Sequence, residues 1–284
     1  MSILNIKDIS IKIKNKDVIK NGSLQIDAGD VILLTGPNGS GKSTIIKTVM
    51  GDLFDYGNSI KVFASQLTFN DGNELYDLKG EEKNREAFRR RVCYVSQDDE
   101  FESESVMECF LMSLNYLPVE NPTAYVFEFI RRFSIYEGFG VDDTLDYKSK
   151  KIIKNAGIRK KDLKPEDVKA AKYLSLNTRK MSGGQKKLTN IFANLVKCEF
   201  CKLILLDEPL NNLDYNNVRA FSNALTKIHK SYPNLGMIMV THCRSIPIVN
   251  KVIEIDPTNK ELKLGKQYTC NSCFGEIDDS GLYV

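Results

Sequence analysis

The chain has 284 residues, of which 42% are hydrophobic and 27% are charged, and its formal net charge is +3. This is the balance of a globular protein that is long enough to bury a packed core. The small net charge excludes the basic footprint of a dedicated nucleic-acid-binding protein, so we expect no nucleic-acid partner. The longest apolar runs, such as those at 203–206 and 237–240, are far shorter than the ~20 residues that cross a membrane, so we expect any membrane-spanning part on another chain.

Two further features indicate the cellular compartment. The first residues lack the basic and then apolar pattern of a secretory leader. The seven cysteines are an odd number, which favours free thiols over a disulfide framework. Both predict a reducing, cytoplasmic setting.

The N-terminal part of the chain reads as strands followed by one helix. Residues 3–35 predict short strands, the last of which, Val31–Leu34, is a continuous apolar run typical of a strand buried on both faces. A glycine-rich turn follows, and then a helix at about 42–50. The next stretch is loose and polar, with strand-like pieces near 59–63 and 66–69.

From residue 91 onward, strands and helices alternate. Arg91–Ser96 predicts a strand, and residues 98–180 are mostly helical in pattern. Apolar spacing or start signals predict helices in four segments: 126–133, 165–174, 182–196 and 218–231. Buried strands are predicted at 203–206 and 237–240. Buried runs separated by helices imply a mostly parallel sheet in an α/β core.

Residues 36–43, Gly-Pro-Asn-Gly-Ser-Gly-Lys-Ser, match the phosphate-binding loop pattern. Glycines let backbone N–H groups turn inward around phosphate oxygens, and the next helix directs its positive end at the same anion. A chance glycine-rich turn is a weak alternative, because the match lies between a buried strand and a helix. We expect these residues to bind the nucleotide: Gly36, Pro37, Asn38, Gly39, Ser40, Gly41, Lys42, Ser43 and Thr44. Lys42 would reach the β- and γ-phosphates, and Ser43 would ligate Mg²⁺.

The strand at 203–206 ends in two carboxylates, Asp207 and Glu208. In a phosphate-loop fold the carboxyl end of a strand faces the nucleotide. Asp207 would hold Mg²⁺, and Glu208 would orient and polarise the attacking water. A polar strand end at an ordinary turn is the alternative, and the nearby phosphate-binding loop disfavours it.

Met181-Ser182-Gly183-Gly184-Gln185 opens the amphipathic helix. Ser182 and Gln185 have the spacing of a capping box. A cap alone does not need two glycines, which lower helix propensity. Exposed N–H groups at a helix start bind anions, so this segment is suited to a γ-phosphate.

Together these motifs resemble the ABC ATPase family. Residues 181–185 are similar to its signature, Leu-Ser-Gly-Gly-Gln, with Met in place of Leu. Gln97 resembles the glutamine of its Q-loop, 210–214 its D-loop, and 240–242 its switch histidine segment. Taken singly, Gln97 and the histidine would read as ordinary loop residues, but six motifs follow in the family's order. The resemblance covers roughly residues 1–256.

The resemblance implies a P-loop NTPase core with a mostly parallel sheet, an N-terminal antiparallel β subdomain and an enlarged helical subdomain. We expect a single ABC ATPase domain. Its predicted parts are the nucleotide-binding core at 1–97 and 181–256, the helical subdomain at 98–180, and a C-terminal strand and tail at 257–284.

The resemblance also implies how the site works. Family members pair head to tail around ATP, as a homodimer or with a different ATPase subunit. The implied catalytic residues are Lys42, Glu208 and His242. The implied Mg²⁺ ligands are Ser43, Gln97 and Asp207. The residues implied to contact ATP beyond the phosphate-binding loop are Gln97, Ser182, Gly183, Gly184, Gln185 and Asp214.

The favoured function is an ATPase subunit at the cytoplasmic face of a membrane that drives a separate transmembrane transporter subunit. The alternative is a soluble conformational switch in assembly, repair or translation. The long interval from Gln97 to Ser182 is interpreted as an enlarged partner-docking region.

Several residues depart from the family pattern or stand outside it. Residues 1–53 contain no aromatic residue to stack on adenine, and Ile13 falls near the expected place, which leaves the preference between ATP and GTP open. His229 is predicted to be an exposed helix residue. Two C-x₂-C pairs, Cys198 with Cys201 and Cys270 with Cys273, match zinc-ligand spacing. We favour unrelated free thiols, because core strands separate the two pairs.

Overall fold

The computed structural model describes residues 1–54, 59–97, 103–241 and 246–266. The chain divides into two compact units. We call 1–97, 200–209 and 232–270 the sheet unit, and 98–199, 210–231 and 271–284 the helical unit. The predicted division into a nucleotide-binding core, a helical subdomain and a tail stays a prediction.

All described strands lie in the sheet unit: β1 (Ser2–Ile13), β2 (Lys16–Asp27), β3 (Val31–Thr35), β4 (Ile60–Phe63), β5 (Gln66–Asn70), β6 (Leu75–Asp77), β7 (Val92–Val95), β8 (Leu203–Asp207), β9 (Gly236–Val240), β10 (Lys251–Ile255) and β11 (Leu262–Leu264). They form two sheets. The antiparallel sheet has the order β2-β1-β5-β6, with β4 also paired to β1.

The second sheet has the order β11-β10-β3-β9-β8-β7 and is parallel except for β11. Every residue of β3, β8 and β9 is buried, which is why their sequences are continuous apolar runs. Parallel strands end at the same edge of a sheet. The segments that follow β3, β7, β8 and β9 therefore leave from one edge, and the phosphate-contacting residues predicted in the sheet unit follow these strands.

The sheet unit also contains α1 (Lys42–Met50) and α2 (Glu82–Arg90). Sequence patterns predicted α1 and missed both α2 and β6. Helix α2 was missed because it buries only Arg85 and Phe88, so it has almost no apolar stripe. One of its two glutamates, Glu82, pairs with Arg85 and Arg89 at 2.6 Å each.

The described helices of the helical unit are α3 (Val106–Leu114), α4 (Pro122–Phe133), α5 (Tyr147–Asn155), α6 (Pro165–Leu174), α7 (Gly183–Leu195) and α8 (Tyr215–Ser231). Their core is rich in aromatic rings, and Tyr173 contacts Phe110 and Phe139. The predicted α/β fold with an antiparallel β part and a helical part is confirmed. Each helix in the described ranges is too short or too polar to cross a lipid bilayer.

Candidate nucleotide-binding site

The predicted phosphate-binding loop connects β3 to α1. The backbone φ is +150° at Gly36, +74° at Gly39 and +105° at Gly41. A Cβ atom on Gly41 would lie 2.7 Å from Cγ1 of Val18, whereas one on Gly39 would meet no atom within 4 Å. Gly41 is therefore required by its backbone conformation and by the close approach of β2, and the space around Gly39 is open.

The loop offers several groups that can hold an anion. The N–H groups of Lys42, Ser43 and Thr44 lie in the first turn of α1, where no intrahelical acceptor exists. Lys42 is 6% exposed, and its ammonium donates to the carbonyl oxygens of Gly36 at 3.0 Å and Pro37 at 3.2 Å. Ser40 Oγ is buried and has no hydrogen-bond partner among the described residues. This donor set fits the phosphate chain of a nucleotide.

The two predicted Mg²⁺ ligands of α1 and β8 are in contact. Ser43 Oγ donates to Asp207 Oδ1 at 2.8 Å. Burial raises the pKa of Asp207, the nearby Glu208 carboxylate raises it further, and the hydrogen bond from Ser43 opposes both effects. A hydroxyl oxygen beside a carboxylate is a donor pair that suits the hard cation Mg²⁺.

Glu208 directly follows β8 and is 7% exposed. Its φ is +52°, a left-handed conformation that costs a non-glycine residue about 1–2 kcal/mol. Its N–H donates to the carbonyl oxygen of Val240 at 2.9 Å, which ties the turn after β8 to the end of β9. Strained backbone of this kind is concentrated at functional sites.

The remaining strand ends carry the other predicted residues of this unit. Gln97 is exposed and lies two residues beyond β7. Thr241 is buried and follows β9. His242 lies outside the described residues, so its predicted role stays a prediction.

The predicted adenine-contacting residue, Ile13, is half-buried at the end of β1. Two apolar side chains of β2, Val18 and Ile19, approach Gly41 of the phosphate-binding loop, and the sequence pattern did not indicate these contacts. Only the pairing of β1 with β2, beyond the tight turn at Lys14 and Asn15, brings Val18 there. Ile13 as the adenine contact remains a prediction.

The signature-like segment lies in the helical unit at the start of α7. Ser182 Oγ accepts the N–H of Gln185 at 3.2 Å, and Gln185 Oε1 accepts the N–H of Ser182 at 3.2 Å. The predicted capping box is therefore confirmed. A Cβ on Gly183 would meet no atom within 4 Å, whereas one on Gly184 would lie 2.8 Å from Asn217 Nδ2. The second glycine is needed for close packing against α8.

Asp214, at the end of the D-loop-like segment, caps α8. Its carboxylate accepts the N–H of Asn217 at 2.9 Å and the side-chain amide of Asn217 at 2.8 Å. The ammonium of Lys187 on α7 donates to the carbonyl oxygen of Asn211 at 2.9 Å. Asn217 was not among the predicted site residues, although Asp214, three residues before it, is a helix-start signal.

The structure describes only one of the two C-x₂-C pairs, Cys198 with Cys201. Cys201 Sγ lies 3.3 Å from Cys93 Sγ, and both thiols and that of Cys198 are buried. Cys270 and Cys273 lie outside the described residues, and those that are described include no group of three metal-binding side chains.

The prediction that His229 is exposed is wrong. It is half-buried on α8, and burial lowers its pKa below 6.5.

A strand–loop–helix cradle with a buried lysine, beside a strand that ends in two carboxylates, defines the P-loop class of nucleotide-binding proteins. The family model described as ABC transporter matches residues 19–211, about two thirds of the chain. The chain therefore belongs to the ABC transporter ATPase family, whose general activity is ATP hydrolysis.

Individual relatives agree with this assignment. The zinc uptake system ATP-binding protein ZurA of Listeria innocua is 26% identical over 240 residues, which cover 84% of this chain and 76% of that protein. The structure of cbiO1 from Clostridium perfringens, part of the transporter complex cbiONQ, matches with a TM-score of 0.64 at 22% identity, covering 94% of this chain and 88% of that one. A dimeric post-hydrolysis state of the ATP-binding cassette MJ0796, bound to ADP and Pi, matches with a TM-score of 0.63 at 17% identity, covering 94% and 100%. At these identities the two structures show the fold.

Proposed function

We propose that this protein hydrolyses ATP within a head-to-tail dimer and thereby drives a separate transmembrane transporter subunit, from the cytoplasmic face of the membrane. The observation that carries the proposal is the contact between Ser43 and Asp207. It joins the phosphate-binding loop to the strand that ends in Asp207 and Glu208, so binding groups and catalytic carboxylates belong to one site.

In this proposal the phosphate-binding loop holds the triphosphate. The first-turn N–H groups of α1 and Ser40 Oγ bind phosphate oxygens, and the Lys42 ammonium neutralises the β- and γ-phosphates. Ser43, Asp207 and Gln97 would hold Mg²⁺, which when bound offsets the negative charge of the phosphate groups. Val18 and Ile13 are apolar candidates for the adenine contact.

Glu208 is proposed to act on the attacking water. It lies one residue beyond Asp207, at the point where the strained turn ties β8 to β9. Positioning and charge stabilisation dominate phosphoryl transfer, so a fixed carboxylate at this place can orient and polarise water. His242 is proposed to hold the γ-phosphate and the water from the segment after β9.

The second half of each site would come from another subunit. The first-turn N–H groups of Gly183 and Gly184 have no intrahelical acceptor and are suited to a γ-phosphate. Ser182, Gln185 and Asp214 are proposed to complete this half. Since one chain carries both halves, a homodimer would have two complete sites, and a heterodimer with another ABC ATPase is the other arrangement. The solved dimer of a structural neighbour with ADP and Pi supports pairing around nucleotide.

The substitution Glu208→Gln tests the proposal. It keeps the size of the side chain and removes the charge, so we expect ATP hydrolysis to fall by about 10²–10³-fold. We also expect ATP with Mg²⁺ to convert the variant from monomer to dimer, measured by analytical ultracentrifugation. Glu86→Gln, an exposed position on α2, is the matched control and should hydrolyse ATP at the wild-type rate. Hydrolysis by the Glu208→Gln variant at the wild-type rate would show that Glu208 is not the base.

A further inference from the structure

The segment from Asp146 to Lys164 carries a concentrated excess of positive charge. It contains eight Lys and Arg residues and two Asp residues, a net charge of +6. The whole chain carries +3, so all other residues together sum to −3. The eight basic residues are Lys148, Lys150, Lys151, Lys154, Arg159, Lys160, Lys161 and Lys164, and every one of them is exposed. The positive charge is therefore local.

Helix α5 presents part of this charge on one face. Ser149 and Ile153 are buried, so they mark the side of α5 that packs inside the helical unit. Tyr147, Lys150, Lys151 and Lys154 have the spacing i, i+3, i+4 and i+7, which places them together on the opposite side. Tyr147 is 81% exposed. We call these four residues the outer face of α5.

The acidic residues before α5 and on the next helix do not neutralise this face. Asp142 and Asp146 lie 3.8 Å and 3.2 Å from the ammonium of Lys172 on α6. Asp143 lies 3.9 Å from that of Lys169, also on α6.

Asp167 and Asp162 also pair with basic residues that are not part of the outer face of α5. Asp167 lies 3.6 Å from the guanidinium of Arg131 on α4, and Asp162 pairs with Arg159 at 2.6 Å. No lysine between 148 and 164 has an ion pair among the described residues. The outer face of α5 therefore keeps its full charge.

The residue types indicate what this face binds. Lysine is a flexible point charge without the planar fork with which arginine recognises a carboxylate, phosphate or base edge in a fixed geometry. Clustered lysines on an amphipathic helix suit a diffuse layer of negative charge, such as anionic lipid headgroups. An exposed tyrosine beside them suits the same boundary, where its ring contacts apolar atoms and its hydroxyl contacts water.

We propose that the outer face of α5, with the lysines that follow it, binds the anionic phospholipid surface of the membrane in which the transporter subunit lies. The location at a membrane rests on the proposed function, whereas the charge of this face and its arrangement are independent of that function. The contact would hold the ATPase subunit near its partner independently of nucleotide.

Co-sedimentation of the whole protein with vesicles tests this proposal. We expect binding to vesicles of phosphatidylcholine with phosphatidylglycerol, release at high ionic strength, and no binding to phosphatidylcholine alone. The variant K150E/K151E/K154E should bind the anionic vesicles about 100-fold more weakly. Y147S should bind several-fold more weakly, since it removes only the ring. The matched control K7E/K61E/K202E makes the same change of charge at exposed positions of the sheet unit. It should lose far less binding to the anionic vesicles.

Three results would overturn the proposal. In the first, the wild-type protein does not sediment with anionic vesicles. In the second, the two triple variants lose equal amounts of vesicle binding. In the third, the outer face of α5 binds duplex DNA or polyglutamate but not vesicles. ATP hydrolysis measured without lipid distinguishes failure of the membrane-binding proposal from failure of the proposed function. The variant K150E/K151E/K154E should hydrolyse ATP normally, and loss of the role of Glu208 would leave vesicle binding unchanged.

Discussion

The starts of α1 and α7 use glycine for different physical reasons. Both are glycine-rich and both present first-turn N–H groups that suit phosphate. At the start of α1 the chain adopts positive φ, and Gly41 also meets β2. At the start of α7 neither glycine has positive φ, and Gly184 is needed only because Asn217 approaches it. Similar composition therefore implies different tolerance of substitution.

The two helix starts also differ in how they are capped. The N-cap of α1 is Gly41, which has no side chain, so the amides of the loop depend on turns and on a ligand. The N-cap of α7 is Ser182, and its capping box with Gln185 satisfies two amides without a ligand. We expect the start of α7 to be formed in the nucleotide-free protein, and the phosphate-binding loop to gain stability from nucleotide.

The largest effect on stability is expected at Gly41. Gly41→Ala combines left-handed strain with overpacking against Val18, so the free energy of unfolding should fall by about 2–4 kcal/mol in urea titrations. Gly39→Ala has the strain without the contact and should cost about 1–2 kcal/mol. Val18→Ala in the Gly41→Ala background should recover the part of the steric loss that is due to Val18, while the contact with Ile19 at 3.1 Å remains. Equal losses at the two glycines would contradict the role of Val18.

A smaller contrast is expected at the start of α7. Gly184→Ala should lower the free energy of unfolding by about 1–2 kcal/mol, because its Cβ would displace the amide of Asn217. Gly183→Ala has open space and should raise it by about 0.5 kcal/mol through helix propensity. Thermal unfolding of both variants without nucleotide measures the difference. If Gly184→Ala proves as stable as Gly183→Ala, the close packing against α8 does not constrain this position.

The smallest effect concerns acid. The pKa of His229 in the folded protein lies below its unfolded value of about 6.5, because burial disfavours the charged ring. The unfolded chain therefore binds a proton more readily, and the free energy of unfolding should fall as the pH falls through 6.5. His229→Gln should remove this part of the pH dependence, measured by urea titrations at several pH values. An identical pH profile in the variant would show that the ring does not contribute.

Sequence reasoning predicted those parts of the fold that have a periodic apolar pattern. The buried runs of β3, β8 and β9 and the stripe of α7 were all found. It missed α2, which is held by ion pairs of Glu82, and it began α8 three residues late because the cap at Asp214 was not recognised. Such polar contacts leave no periodic signal.

The candidate site divides in the same way. The loop 36–44 and the carboxylates after β8 were readable because their residue types and order are specific. Val18 and Asn217 were not, because each matters through contact with a glycine distant in sequence, which only the folded chain defines. The burial of His229 was also missed, since a histidine gives no indication of which helix face is covered.

The packing at the start of α7 has a mechanical consequence. Gly184 lies against Asn217, Asn217 is bonded to Asp214, and Lys187 is bonded to the carbonyl oxygen of Asn211. Close-packed groups with hydrogen bonds of this length transmit displacement with little compliance. Any tilt of the first turn of α7 is therefore shared by residues 211–217. A macromolecule in contact with those residues would respond to a ligand that binds at the start of α7 and displaces it.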